Sequence, residues 1–324
     1  MPAVIMSGKA LAVRIEQLAG EHLASLKNSH RISPRLGVVV VGSEEASQKY
    51  VKRKRDRCGR LGIEFNQISL PSTAAADSIL SAVKELSSDD SCHGILVQLP
   101  LPPQITEMET REIFEAIDPR KDVDGVSSKT TIYFYDALPN FIFLPCTPHG
   151  ILNMLHFYGI PVQGARVAVL GRNTITGKPM QILIGGRYGN ATPLWVHRKS
   201  YSEHWKHDLA EYLRDADIII SFVGVRPPGR DYLITADMVK ESSVIIDAGL
   251  RYEGHSVFGD VDFENVKEKA AYLTPPIGGV GPLTVASLIR NMDFAAHYAV
   301  HRDLPLSELY RVRPSYGDLD IAPA

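Results

Sequence analysis

The chain has 324 residues, 44% of them apolar and 22% charged, with a formal net charge of −2. Such a composition fills ordinary cores and, by its length, two domains. It excludes a global basic field for nucleic acid, and no uninterrupted apolar stretch is long enough to cross a bilayer.

Met1 to His30 lacks the apolar centre of a signal peptide, and Glu16 and Glu21 interrupt any acid-poor transit-peptide composition, so a cytoplasmic protein is expected. Leu11, Ile15, Leu18 and Leu23 form a helical stripe. A strand Leu36 to Val41 follows, then a helix from about Ala46 to Leu61, a strand Phe65 to Leu70, a helix Ala74 to Leu86 and a strand Gly94 to Leu99. This alternation predicts a parallel sheet covered on both faces. Pro100, Pro102 and Pro103 stop the third strand, which places Gln98 near its carboxyl end. Lys121-Asp122-Val123-Asp124-Gly125 and the irregular stretch to Pro148 read as a crossover between domains. From Gly164 a dinucleotide-type order begins: strand Arg166 to Leu170, helix Lys178 to Tyr188, strand Thr192 to Val196, helix Asp208 to Leu213, strand Asp217 to Phe222, helix Thr235 to Lys240, strand Val244 to Asp247. After Gly278-Gly279-Val280-Gly281-Pro282 the chain reads as helical to about Val300, followed by a proline-bearing tail.

Three groups carry chemistry. Tyr50 and Lys54 are four apart on the second predicted helix, so ring and ammonium share a face above a strand's carboxyl end. Gln98 and Asp124 reach the same sheet edge from other segments, where ligands of such folds bind. Burial and the basic neighbours Lys52, Arg53 and Arg55 are expected to lower the Lys54 pKa and suit it to proton transfer. Gln98 can hold that lysine or an attacking water, and Asp124 can take the adjacent N–H donors of an amino-substituted heterocycle. A solvated lysine, a structural amide and an Asp turn are the bland readings, each competitive alone.

The second group is Gly171-Arg172-Asn173-Thr174-Ile175-Thr176-Gly177, between strand and helix, where free backbone N–H groups favour phosphate. His197, Arg198 and Lys199 end the next strand in place of a ribose-binding carboxylate. With Arg172 they can surround a 2′-phosphate, which favours NADP over NAD. The third is the glycine turn before the last helix, which permits close backbone approach. Cys58, Cys92 and Cys146 are odd in number and widely spaced, without Cys-x-x-Cys or paired His, so a reducing compartment is expected rather than disulfides or a metal site. Cys146, with no activating base in its own segment, reads as structural.

Taken together, Ala46 to Lys54, Gly94 to Pro102, Lys121 to Gly125, Pro145-Cys146-Thr147-Pro148, Gly171-Arg172-Asn173, Gly259-Asp260-Val261-Asp262 and Gly278 to Pro282 resemble the bifunctional methylenetetrahydrofolate dehydrogenase/cyclohydrolases, in family order to about Val300. The resemblance implies a folate-binding catalytic domain over residues 1–145, a Rossmann-type NADP domain over 146–280, a helix 281–300 packing back on the first domain and a tail 301–324. It implies NADP-dependent oxidation of 5,10-methylenetetrahydrofolate and hydrolysis of the methenyl product. Lys54 would be the main hydrolytic group, Gln98 would tune it, Tyr50 would stack on the aminobenzoate ring and Asp124 would bind the pterin. Val51, Val97, Leu99, Ile277, Gly278, Gly279, Val280 and Gly281 would complete the folate contacts. Gly171, Arg172, Asn173, Gly177, His197, Arg198 and Leu250 would face the cofactor. Family members are usually homodimers. Departures are Asn173 and Arg198 for serines, Ile277 for a proline, Leu283 for a methionine, a stretch Ser127 to Asn140 without Pro-x-Asn-x-Gly, and a longer tail. A dehydrogenase of another small substrate and a silent NADP- or folate-binding regulator are the competing readings.

Overall fold

The computed structural model describes residues 2–135, 143–200, 208–254 and 256–320. In chain order the strands and helices are β1 Val4–Ile5, α1 Lys9–His30, β2 Arg35–Val41, α2 Glu45–Arg60, β3 Glu64–Leu70, α3 Ala76–Ser88, β4 Gly94–Val97, α4 Glu107–Glu115, α5 Ser128–Tyr135 and α6 Cys146–Phe157. Then come β5 Arg166–Leu170, α7 Gly177–Gly185, β6 Thr192–Val196, α8 Leu209–Leu213, β7 Ile218–Ser221, β8 Val244–Asp247, β9 Arg251–Glu253, β10 Ser256–Phe258, α9 Phe263–Val266, β11 Tyr272–Leu273 and α10 Val280–Val300. The described chain forms two compact units, one of residues 14–146 with 285–320, the other of residues 2–13 with 147–284.

The first unit holds a parallel sheet ordered β3-β2-β4. Its middle strand reads Leu36-Gly37-Val38-Val39-Val40 without a polar residue because both faces are covered. Gly37 and Gly94 are required by that packing. A Cβ on Gly37 would come within 2.8 Å of Leu86, and one on Gly94 within 2.2 Å of Met292 on α10. α10 is buried around most of its surface from Val285 to Tyr298, with Ser287, Arg290, Asn291 and Asp293 buried among its apolar residues.

The tail belongs to this unit. Leu309, Tyr316 and Leu319 are buried, Tyr316 Oη donates to Asp293 Oδ2 at 2.8 Å, and Arg290 pairs with Asp320 at 2.6 Å. His22 Nδ1 on α1 lies 2.8 Å from the same Asp293 oxygen.

The second unit holds a six-stranded parallel sheet ordered β1-β11-β8-β7-β5-β6 and a small antiparallel ribbon of β9 with β10. The βαβ order matches expectation, with one correction. Thr235 to Lys240 is not an α-helix but a single 3₁₀ turn, Ala236–Met238. The preceding residues are captured by backbone pairing: Leu233 and Ile234 donate to the Asp260 carbonyl and Asp262 donates to Ile234, in a parallel bridge of Ile234 with Val261. No helix among the described residues is long and apolar enough to cross a membrane.

Candidate active site

In the first unit, α2 starts just past the carboxyl end of β2, so Lys54 on its third turn overlooks the sheet edge where β4 ends. Lys54 Nζ donates to Gln98 Oε1 at 3.0 Å. Gln98 is itself buried, and its Nε2 donates to the Leu99 carbonyl at 2.7 Å, which fixes the amide with its oxygen toward the lysine. The Gln98 backbone N–H bonds the Val39 carbonyl at 2.9 Å, so the residue is pinned to the sheet although β4 stops at Val97.

The Lys54 pKa is lowered, and desolvation is the cause; the Asp124 carboxylate and Cys146 act the other way. The expected part played by basic neighbours is corrected. Lys52 is paired with Asp56 at 2.8 Å, the Arg53 guanidinium lies 5.6 Å from the Tyr50 ring centroid and Arg55 bonds Gln67. They are spent on local contacts along the outer face of α2, while burial alone depresses the amine.

Asp124 is half-buried on the turn between α4 and α5. Its neighbour Asp122 is fully buried and accepts from the Val126 N–H at 3.1 Å and the Ser127 N–H at 2.8 Å, closing the turn into α5. Cys146, read from its own segment as structural, lies within hydrogen-bond reach of the Asp124 carboxylate and 3.4 Å from the Val123 carbonyl. Burial and the Asp124 charge push its thiol pKa well up, so it stays a neutral thiol. The structure thus gathers Lys54, Gln98, Asp124 and Cys146, with Tyr50 one turn along α2 and Val51, Val97 and Leu99 buried or half-buried beside them. Ile277 to Gly281 fall in the second unit, where Gly278, at φ +86°, accepts the Gly8 N–H at 2.9 Å and Ile277 is 65% exposed.

The cofactor candidates follow β5, β6 and β8 at the carboxyl edge of the second unit's sheet. β5 and β6 end in register at Leu170 and Val196, so Gly171-Arg172 and His197-Arg198 leave the sheet side by side. Gly171 has φ +107°, and a Cβ on Gly177 would meet the Gly171 carbonyl oxygen at 2.5 Å. The two glycines six apart therefore let the start of α7 close on the turn, which is the approach a dinucleotide site needs. The His197 pKa is lowered by burial and by the charges of Arg172 and Lys199, evidence that the three side chains share one basic neighbourhood suited to a 2′-phosphate.

One feature differs from the expected phosphate cradle. Asn173 Oδ1 accepts from the backbone N–H groups of Ile175 at 3.2 Å, Thr176 at 2.7 Å and Gly177 at 3.4 Å. An incoming phosphate competes with this side chain for those amides. Leu250 stands half-buried past β8, packed near Gly224 past β7.

Sequence reasoning assigned no role to a buried carboxylate pair behind this edge. Asp260 accepts from Ser221 Oγ at 2.5 Å and from the Val223 and Gly224 N–H groups at 2.9 Å. Asp247 accepts from the N–H groups of Gly249 and Asp260 at 3.1 Å and Val261 at 3.0 Å. Burial and the Asp260 charge push Asp247 up to about 7. The repeated Asp and Gly of Asp247-Ala248-Gly249 and Gly259-Asp260 were the available signal, since a Cβ at either glycine would fall within 2 Å of the opposing carboxylate.

Comparison with known proteins gives a consistent result. The family model for the tetrahydrofolate dehydrogenase/cyclohydrolase catalytic domain matches residues 6–124, and that for its NAD(P)-binding domain matches residues 145–300. The Bifunctional protein FolD of Methanosarcina acetivorans is 39% identical over 296 residues, spanning 90% of this chain and 96% of that protein. The crystal structure of the bifunctional FolD methylenetetrahydrofolate dehydrogenase/cyclohydrolase of Campylobacter jejuni superposes with a TM-score of 0.82 at 37% identity, covering 93% of this chain and 100% of the other. The Trypanosoma brucei enzyme complexed with NADP cofactor and inhibitor gives 0.83 at 30% identity, covering 93% and 99%.

Proposed function

The chain belongs to the tetrahydrofolate dehydrogenase/cyclohydrolase family, and on that premise we propose that Lys54, oriented by Gln98, handles the protons of the hydrolytic step. The enzyme is bifunctional: it oxidises 5,10-methylenetetrahydrofolate to the 5,10-methenyl form with NADP and hydrolyses that product to 10-formyltetrahydrofolate.

In the oxidation, hydride leaves a carbon held between two nitrogens, so the cation formed is delocalised. The chain's task is alignment and exclusion of water. NADP, when bound, supplies the acceptor for that hydride. Gly171, Arg172 and Gly177 would hold its phosphates, His197 and Arg198 the 2′-phosphate, with Asn173 and Leu250 flanking. Asp124 would receive the pterin's N–H donors and Tyr50 would stack on the aminobenzoate ring, with Val51, Val97 and Leu99 lining that site. Ile277 to Gly281 would offer backbone to the folate.

In the hydrolysis, water adds to the cationic carbon. The neutral Lys54 amine takes a proton from that water, and the ammonium formed delivers it to the departing ring nitrogen as the carbon–nitrogen bond breaks. The second water proton leaves to solvent when the formyl C=O forms. A desolvated amine is suited to both halves because its pKa lies below that of an ordinary lysine. The observation that carries this reading is the 3.0 Å bond from Lys54 to an amide whose orientation is locked by the Leu99 carbonyl.

Residues 1–145 would serve folate, save that residues 2–13 pack in the second unit through β1, with 146–280 serving the cofactor and 281–300 a helix of the folate domain. A cytoplasmic homodimer without nucleic-acid or membrane partners completes the proposal. Three buried free thiols support the reducing compartment, and Leu194 and Trp195, over 40% exposed on the edge strand β6, support pairing through the cofactor domain. The test is to supply methylenetetrahydrofolate with NADP and with NAD, then to follow decay of added methenyltetrahydrofolate. NADP-dependent formation and enzyme-dependent decay are expected; a decay rate equal to buffer alone would overturn the hydrolytic assignment.

A further inference from the structure

Asn291 lies in the middle of α10, fully buried. Asparagine is a poor choice there, because its side chain competes for backbone groups and loses rotamer freedom in a helix. Its Nδ2 donates to the Val123 carbonyl at 2.8 Å and to the Leu144 carbonyl at 2.9 Å, and lies 3.7 Å from Cys146 Sγ. Both amide protons are used. They tie together the Val123 and Leu144 segments, one ending in Asp124, the other in Cys146.

The turn is held on its other side by Asp122, through the Val126 and Ser127 N–H groups. Gly125, at φ +68°, sits so close to the 144–145 segment that a Cβ would meet the Pro145 nitrogen at 3.0 Å. Val123 has its carbonyl fixed by Asn291 and is followed directly by Asp124. Rotation of that peptide is thus the motion that would move the Asp124 carboxylate, and Asn291 opposes it.

We infer that Asn291 is a positioning residue for folate: by fixing the Val123 and Leu144 carbonyls it sets where Asp124 presents its carboxylate to the pterin. This rests on the reading of Asp124 given above.

The experiment measures KM for methylenetetrahydrofolate, kcat, the NADP dissociation constant and Tm for Asn291→Ala, Asp124→Ala and the double variant. Loss of two net hydrogen bonds predicts about a tenfold rise in folate KM for Asn291→Ala, with NADP affinity unchanged. Because both residues act through one contact, the double variant should be no worse than Asp124→Ala alone. An unchanged folate KM in Asn291→Ala beside a raised one in Asp124→Ala would overturn the inference and leave Asp124's role standing. An unchanged KM in Asp124→Ala would remove that role and the inference with it. Parallel losses of folate and NADP binding would mean general loosening and also overturn it. Asn291→Asp keeps the volume if the alanine variant fails to fold. Its buried carboxyl donates one hydrogen bond only while protonated, so folate KM should rise with pH relative to the parent; a pH-independent ratio near one would overturn the inference.

Discussion

Replacing Gln98 by Glu tests the electrostatic part of the mechanism with the smallest change of shape. The Lys54 Nζ lies 3.0 Å from Gln98 Oε1, and a carboxylate oxygen placed there would attract the ammonium. At an effective dielectric of about 20 that attraction is about 5 kcal/mol, which would raise the amine's pKa by roughly four. The substitution also loses the donor to the Leu99 carbonyl, now 2.7 Å from Nε2, and the repelled carboxylate will swing outward. About half the effect is therefore expected to survive. With the neutral amine as the proposed base, hydrolysis should rise with pH through the Lys54 pKa, and raising that pKa should move the rise to the alkaline side by about two pH units. The assay is the enzyme-dependent decay of methenyltetrahydrofolate from pH 6 to 10 with the spontaneous rate subtracted. At a pH below both midpoints the variant should be about a hundredfold slower, with NADP-dependent oxidation largely kept. A profile with the parent's midpoint would refute the assignment of Lys54 as the titrating base.

Removing the exposed guanidinium in Arg198→Ala should weaken NADP about tenfold and leave NAD unchanged in a fluorescence titration; equal losses would make the basic turn a bystander. Asp247 is raised from 3.8 to about 7, so the folded state holds a proton that the unfolded chain has released between those values. Stability should therefore fall as pH rises from about 4 to 7, by several kcal/mol at most, and urea midpoints of Asp247→Asn should lack that slope. Tyr316→Phe removes the 2.8 Å bond to buried Asp293 and should cost about 1–2 kcal/mol in urea unfolding. Truncation after Val312, which also exposes the sites of Tyr316 and Leu319, should cost about 4 kcal/mol.

What the sequence disclosed follows from the range of its signals. Val38-Val39-Val40 and Ile218-Ile219-Ile220 are apolar runs without alternation, and only a doubly covered parallel strand explains them. By contrast β1 and β11 have two residues each and no periodicity; only their mutual parallel pairing defines them. The helix α4 lacks a clear apolar stripe, yet Thr106 and Glu109 form a capping box at its start, a local signal spanning four residues. α6 was hidden by Pro148, which its first turn tolerates. The expected crossover from Lys121 to Pro148 contains α5 as well, and residues 136–142 lie outside the described structure.

At the site, Lys54 and Gln98 were legible because each ends or follows an element whose position a parallel sheet dictates. Cys146 and Asn291 were not, since what matters about them is contact with Val123 and Asp124, set by packing between distant segments. Burial, which the sequence leads one to expect, depresses the lysine pKa, while the arginines and lysine nearby in sequence turn to Tyr50, Gln67 and Asp56. Asn173 was counted as a cofactor contact by its place in the loop. Its hold on the Ile175, Thr176 and Gly177 amides needs the folded turn to be seen.

Lys54→Ala, assayed for both reactions in one preparation with its Tm recorded, separates the hydrolytic role of the amine from its part in the fold. Enzyme-dependent hydrolysis of methenyltetrahydrofolate is expected to disappear while the fold, measured by Tm and NADP binding, is retained. Hydrolysis at the parental rate in that variant would contradict that role.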